Sequence, residues 1–377
     1  MKKNNVKNLI RFAVVGAGNG GQAMAAHLAM KGYSVNLYNR SMENIKEIKE
    51  IGGITLEGKI EGFGSLSLVT DNIKEAIKGV DVIMITVPAS GHSDIANLCM
   101  PYLENDQIIV LNPGRTGGVL EFLNILKNEG CNKNVILAEA QTFIYACRII
   151  EPGKVRVFSI KNVVSIAALP SAMTPKVVKI LSHAYPQFIP ANNVLETSLN
   201  NIGAVFHPAP TLLNCGRIES TGGDFEYYIH GITPTVAKII ECIDNERVKI
   251  AKTFGVEAIT ALEWLKASYG STGDTLYEAI QNTSGYVGIK APASVNNRYI
   301  FEDIPGSLVP ISALGSMVGV KTPAIDSIIQ LACIAHNTNY YALGRNVRRL
   351  GIEGLTISQI MELVTYGDVE KPEGVVA

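Results

Sequence analysis

The sequence predicts an α/β domain built on a parallel sheet, followed by an all-α domain. Three observations carry that expectation. Short apolar, β-branched runs alternate with helical patterns through the first half of the chain. A glycine-rich turn joins the first run to the first helix. From about residue 195 long helical patterns dominate. The 377 residues exceed what one hydrophobic core usually takes, so two domains are expected. The boundary is expected in "HAYPQFIPANN" (183–193), with two prolines and two adjacent asparagines, giving domains 1–190 and 191–377.

The elements follow in order. RFAVV (11–15) reads as a strand, 20–31 as a helix closed by Gly32, and SVNLY (34–38) as the next strand. Then come DVIMITVPA (81–89), QIIVLNPG (107–114) and NVILAEAQ (134–141). Such near-continuous apolar runs suit strands buried on both faces, and their alternation with helices is βαβ repetition. VRVFSI (155–160) and VVSIAAL (163–169) are expected to extend or close that sheet. In the second domain the clearest helical patterns cover 234–254 and 322–345.

Composition narrows the functional classes. Hydrophobic residues make up 47% and charged residues 18%, which predicts a large buried interior. The formal net charge of −1 gives no basic excess to hold nucleic acid or an anionic membrane, so a small-molecule ligand is expected. No apolar run reaches the ~18 residues of a membrane span. The N-terminal stretch lacks the apolar core and cleavage site of a signal peptide. Six scattered cysteines form no CxxC pair and no zinc spacing, so no metal site is expected. Free thiols in a reducing cytoplasm are the simple reading.

"VVGAGNGG" gives Gly16-x-Gly18-x-x-Gly21, directly after a strand and opening a helix. Gly16 makes the tight turn, Gly18 admits a pyrophosphate, and Gly21 lets the helix pack on the strand. Asn19 and Gly20 complete the turn, whose free N–H groups and positive dipole end favour phosphate. A Rossmann dinucleotide-binding domain follows. At the end of the next strand Asn39 stands where NAD enzymes usually carry Asp or Glu, followed by Arg40 and Ser41. Without a carboxylate to repel a 2′-phosphate, and with an arginine to bind it, NADP(H) is favoured over NAD(H). Pro88 and Pro113 end two successive strands at the rim where ligands bind and are expected to wall the nicotinamide. Arg115 suits a substrate carboxylate or a phosphate.

Two further stretches, "FEYYIHGITPTVAKIIECIDNERVKIAKTFGV" (225–256) and "RYIFEDIPGSLVPISALGSMVGVKTPAIDSII" (298–329), join "NPGRTGG" and "HPAPTLLNCGRIE". With the fingerprint, these resemble the opine (octopine/nopaline) dehydrogenase family over nearly the whole chain. The resemblance implies a Rossmann domain and a helical domain of 6-phosphogluconate-dehydrogenase-like C-terminal architecture, with the active site in the cleft between them. It implies NAD(P)H-dependent reductive condensation of an amino acid with pyruvate or 2-oxoglutarate to a secondary-amine dicarboxylate, and the reverse oxidation. It makes His207 the acid–base residue, Asp303 its partner and Arg298 a carboxylate ligand. Glu302 is a rival to Asp303. Imidazole, with an ordinary pKa near ~6.5, can take and return a proton near neutrality. Pro208 is expected to push the backbone of His207 away from the α region. Gln141 and Thr142 are candidates to bind either substrate. Some relatives carry an acidic residue where Gln141 stands, so its neutrality disfavours arginine or lysine as the amine.

Stretch 267–292 suits a cover over the amino-acid pocket or a plain helix connection, and the arginines of 344–354 suit a solvated helix end. Ketopantoate reductases and glycerol-3-phosphate dehydrogenases use a lysine at the start of the second domain, and residues 197–210 contain none. A non-catalytic NADP-binding sensor would not need His207, Arg298 and Asp303 together. A homodimer and a monomer both fit the sequence.

Overall fold

The computed structural model describes residues 10–369. The chain forms two compact units. Among the described residues, one runs to Thr197 and includes 362–369, and the other is Ser198–Met361.

Among the described residues the first unit contains twelve strands: β1 Arg11–Val15, β2 Ser34–Tyr38, β3 Gly53–Gly58, β4 Gly62–Ser65, β5 Leu68–Thr70, β6 Val82–Ile85, β7 Ile108–Leu111, β8 Ile136–Ala140, β9 Tyr145–Glu151, β10 Lys154–Ile160, β11 Val164–Leu169 and β12 Phe188–Pro190. Eight form one sheet in the order β12-β11-β8-β7-β6-β1-β2-β5, parallel throughout except between β8 and β11. The chain leaves β1 toward β2 on one side and returns through β6, β7 and β8 on the other. That reversal opens the crevice beside β1 in which doubly wound sheets bind ligands. β6, β7 and β8 are buried along their whole length, as strands covered on both faces must be.

VRVFSI does not extend this sheet. As β10 it belongs to a second, four-stranded sheet in the order β4-β3-β10-β9. Its buried positions alternate, Val155 and Val157 in, Arg156 and Phe158 out, because only one face is covered. VVSIAAL does join the main sheet, as β11.

The helix Asn19–Met30 packs on β1 and β2 and also on β3, β4, β9 and β10. It is therefore enclosed by both sheets, and every residue from Gly21 to Leu28 is buried. Its small residues permit close approach. A Cβ on Gly64 of β4 would stand 2.4 Å from the carbonyl oxygen of Ala26.

The second unit is helical. Its longest helix, Pro234–Thr253, packs against Pro208–Leu213, Leu276–Gln281, Val309–Met317 and Pro323–His336. The 322–345 pattern is two helices rather than one. Asn337 takes the left-handed conformation (φ 48°) and ends the first, and Tyr340–Leu343 follows. Of the arginines expected on a solvated helix end, Arg345 is buried and its N–H donates to the Pro305 carbonyl at 3.0 Å, whereas exposed Arg348 pairs with Glu353 at 3.0 Å. Stretch 267–292 holds the end of helix Ala261–Tyr269, helix Leu276–Gln281 and a single bridge from Lys290 to Glu226. No helix among the described residues is long and apolar enough to cross a membrane.

Candidate active site

The glycine turn is held from several sides. Gly16, at φ +109°, donates from its N–H to the Tyr38 carbonyl at 2.9 Å. The hydroxyl of Thr86 donates to the carbonyls of Val15 and Gly16. A Cβ on Gly21 would fall 1.7 Å from the Gly16 oxygen, so only glycine lets the helix start this close to the strand. At Gly18 a Cβ would meet nothing within 4 Å, leaving open space ahead of the helix N-terminus. That combination fits a dinucleotide pyrophosphate: open backbone, free N–H groups and the positive end of a 12-residue helix.

Its neighbours have structural duties. Asn19 faces the second sheet, where its Oδ1 accepts from the Ile149 N–H at 2.8 Å and its carbonyl from the Cys147 thiol. Gly20 makes room for the Phe143 ring, which an added Cβ would meet at 2.4 Å. Asn39 Oδ1 accepts from the Ala17 N–H at 3.2 Å, tying the turn to the end of β2, while Arg40 and Ser41 are exposed beyond it.

Along the rim, Pro88 is exposed and Pro113 half-buried. Arg115 is buried and takes a left-handed backbone (φ 60°), rare for a residue with a side chain. Behind this loop stands Glu139, fully buried at the end of β8. Its carboxylate accepts from the Val119 N–H at 3.0 Å and the Thr197 hydroxyl at 2.7 Å, and it leaves room for nothing larger than glycine at 114. Gln141 and Thr142 follow. The N–H of Gln141 donates to the Ser165 carbonyl, and the hydroxyl oxygen of Thr142 accepts from Lys161 Nζ at 2.7 Å.

The second unit brings His207 and Asp303 together, 96 residues apart in sequence. Nδ1 of His207 lies 2.8 Å from Asp303 Oδ2, and the aspartate is fully buried. Its other oxygen accepts from the Ser307 hydroxyl at 3.4 Å, and that hydroxyl accepts from Asn201 Nδ2 at 2.9 Å. The Tyr299 ring stacks on the imidazole, with centroids 4.2 Å apart and planes 18° apart. Nε2 makes no hydrogen bond among the described residues.

The His207 backbone is not extended. It lies at φ −103°, ψ −58°, between helix Gly203–Phe206 and helix Pro208–Leu213. The steric bias from Pro208 is overcome by hydrogen bonds at both ends of the residue. Its N–H donates to the Gly203 carbonyl, and its own carbonyl accepts from the Thr211 N–H, the Thr211 hydroxyl and the Tyr227 hydroxyl. Burial pushes the Tyr227 phenol well above its ordinary pKa, so it remains a donor.

Among the described residues the ion pair and side-chain hydrogen bond of His207 go to Asp303 and not to Glu302. Glu302 pairs with Arg298, Nη2 to Oε2 3.0 Å, across one helical turn, with the arginine 68% exposed and the glutamate 5%. Sequence reasoning passed over Tyr299, Tyr227, Glu139 and Lys161. Tyr299 lay inside the quoted "RYIFED" stretch, where an aromatic beside an arginine gave no sign of which ring it would face.

Residues 190–336 match the family described as NAD/NADP octopine/nopaline dehydrogenase, alpha-helical domain, and residues 11–112 the NAD binding domain of 6-phosphogluconate dehydrogenase. An opine dehydrogenase of Arthrobacter sp. (strain 1C) is 43% identical, over 94% of this chain and 98% of its own length. The solved structure of octopine dehydrogenase with NADH and agmatine superposes with a TM-score of 0.81 at 22% identity, covering 97% of this chain and 100% of that one. A yersinopine dehydrogenase with NADP+ gives 0.72 at 16% identity, covering 94% and 98%. An N-terminal NAD(P)-binding Rossmann domain joined to a helical domain, with close identity along nearly the whole chain, makes this protein a member of the opine dehydrogenase family, an NAD(P)-dependent oxidoreductase acting on CH–NH donors.

Proposed function

We propose that this opine dehydrogenase joins the amine of an amino acid without a cationic side chain to pyruvate or 2-oxoglutarate, and runs the reverse oxidation. The observation that carries the catalytic assignment is the buried Asp303 carboxylate 2.8 Å from His207 Nδ1. A carboxylate there holds the ring proton on Nδ1, which leaves the Nε2 lone pair for the substrate. In the condensing direction His207 manages the proton at the amine nitrogen. In oxidation Nε2 takes the proton of the secondary ammonium, and Asp303 stabilises the imidazolium that forms.

Bound NAD(P)H would supply the hydride. Gly16, Gly18 and Gly21 would hold its pyrophosphate, and Pro88 and Pro113 would border the nicotinamide. NADP(H) is the favoured form, because Asn39 and exposed Arg40 present no carboxylate to a 2′-phosphate. Arg298 would bind the amino acid's carboxylate, exchanging its exposed pairing with Glu302 for the substrate. Neutral Gln141 argues against a cationic amino-acid side chain. The cofactor domain is taken as 1–190 and the substrate domain as 191–377, with the cytoplasm, where six free cysteines are at home, as the location.

The test is a matrix of amino acids against pyruvate and 2-oxoglutarate with both cofactors. Amine-dependent NADPH oxidation is expected, with a higher kcat/KM for NADPH than for NADH. Turnover on an oxo acid without any amine would instead identify a simple ketoacid reductase. His207→Ala is expected to lower kcat by about 100-fold or more while NADPH affinity stays within about threefold. Near-normal turnover in that variant would remove His207 from the mechanism.

A further inference from the structure

We infer that Lys161, acting with Thr142, forms the anchor for the carboxylate of the 2-oxo acid. The inference rests on the opine dehydrogenase reading above, because only a two-substrate condensation requires two such anchors. The product carries two carboxylates, and Arg298 accounts for one of them.

Lys161 lies in the short link between β10 and β11. β11 runs antiparallel to β8, pairing Ile166 with Ala140, so the residues just before β11 arrive where β7 and β8 end. Its N–H donates to the Ile144 carbonyl at 2.9 Å, which fixes the backbone. Its ammonium donates to Thr142 Oγ1 at 2.7 Å and to the Phe143 carbonyl at 3.0 Å. Both acceptors are neutral, and no carboxylate pairs with Lys161 among the described residues. An ammonium has three protons, so one remains to give. The Thr142 oxygen is already accepting, so its own hydrogen is available to a further acceptor.

Burial, and then the Arg115 charge, bring the Lys161 pKa down from 10.5 to about 8. A half-buried ammonium held only by two neutral oxygens is an unfavourable arrangement that an anion would relieve. The remaining ammonium proton and the Thr142 hydroxyl hydrogen are both donors, which suits an acceptor-only ligand such as a carboxylate.

The cofactor's phosphates fit less well. The pyrophosphate has its own place at the glycine turn. Phe143 separates that turn from Lys161, its ring against Gly20 and its carbonyl on the ammonium. The adenine end of a dinucleotide belongs on the opposite, β2 side of the switch point.

The experiment compares wild type, Lys161→Met and Lys161→Arg, using pyruvate or 2-oxoglutarate, whichever the wild type prefers, against its 1-methyl ester. Lys161→Met is expected to lose about 10- to 100-fold in kcat/KM for the free acid, the worth of a hydrogen bond to a charged group. The ester, the amine KM and the NADPH dissociation constant are expected to change by less than about threefold. Lys161→Arg is expected to recover part of the loss. Equal losses on acid and ester would overturn the assignment. So would a shift confined to the amine KM, which marks the amino acid's carboxylate, or to NADPH affinity, which marks a phosphate. A thermal melt of Lys161→Met no lower than wild type separates a lost anchor from a damaged fold.

A second readout does not depend on turnover. Pyruvate and 2-oxoglutarate are titrated calorimetrically into the NADPH-saturated protein. Absence of amine-dependent turnover in the wild type would end the opine reading. Oxo-acid binding about 10-fold weaker in Lys161→Met would still uphold this site. Equal binding in both, or none in either, would overturn it.

Discussion

His207 is held at three points: Asp303 at Nδ1, Tyr299 across its face, and the Thr211 and Tyr227 hydroxyls on its carbonyl. Such a ring has little freedom left, and its tautomer depends on one carboxylate. Asp303→Asn keeps the shape but can offer an amide N–H to Nδ1, which would move the ring proton to Nε2. We expect kcat to fall by about 100- to 10,000-fold with the NADPH dissociation constant unchanged, read by steady-state kinetics and fluorescence titration. A loss below threefold would mean that the carboxylate does not set the tautomer. Little of this was legible locally. "FHPAP" showed a titratable side chain beside a proline, and the tie to Asp303 entered only through the family resemblance. The α-region backbone of His207 was misjudged because the hydrogen bonds that impose it come from Thr211 and from Tyr227, which lies twenty residues on.

Among the elements, the helix Asn19–Met30 shows how burial on every side alters a titratable group. His27 accepts or donates a 2.7 Å hydrogen bond with the Tyr145 hydroxyl. Burial, then the charge of Lys31, lowers its pKa from 6.5 to about 4. Between those values the unfolded chain binds more protons than the folded one, so stability rises with pH across the window. Acidification from pH 6.5 toward 4 is expected to cost up to about 3 kcal/mol through this residue. Melting temperatures of wild type and His27→Gln over that range would show it: the variant should lose the less steeply with acid. Parallel curves would assign the acid sensitivity elsewhere. β6, β7 and β8 were readable because two-sided burial writes a near-continuous apolar run. The second sheet was not. β4 is Gly-Phe-Gly-Ser, too short and too glycine-rich to signal a strand, and the alternation in β10 was read as more of the same sheet.

At the scale of the whole chain, the two units can be followed separately. The single tryptophan, Trp264, lies in the helical unit and packs near Phe206 and Tyr269. The same unit is pinned by Arg247, fully buried, which pairs with Asp244 and donates to the carbonyls of Leu199 and Ile259. Asp244 in turn accepts from the Ala261 N–H at 2.6 Å. Arg247→Leu would strand that aspartate and two carbonyls, at a cost of about 3–5 kcal/mol. Urea unfolding followed by Trp264 fluorescence should shift to lower midpoint by that amount, and an unchanged midpoint would contradict the argument. A charged pair inside a helix gives no such warning in sequence, since Asp and Arg three apart normally lie on a wet face.

The bond from Ile149 to Asn19 has a consequence for ligand binding. The first residue of the dinucleotide-binding helix is fastened to β9, and the helix itself is enclosed by two sheets. Its N-terminal amides therefore keep one direction before any phosphate arrives. The entropy of aligning them is lost when the chain folds, so a dinucleotide meets a field already oriented and need not organise one.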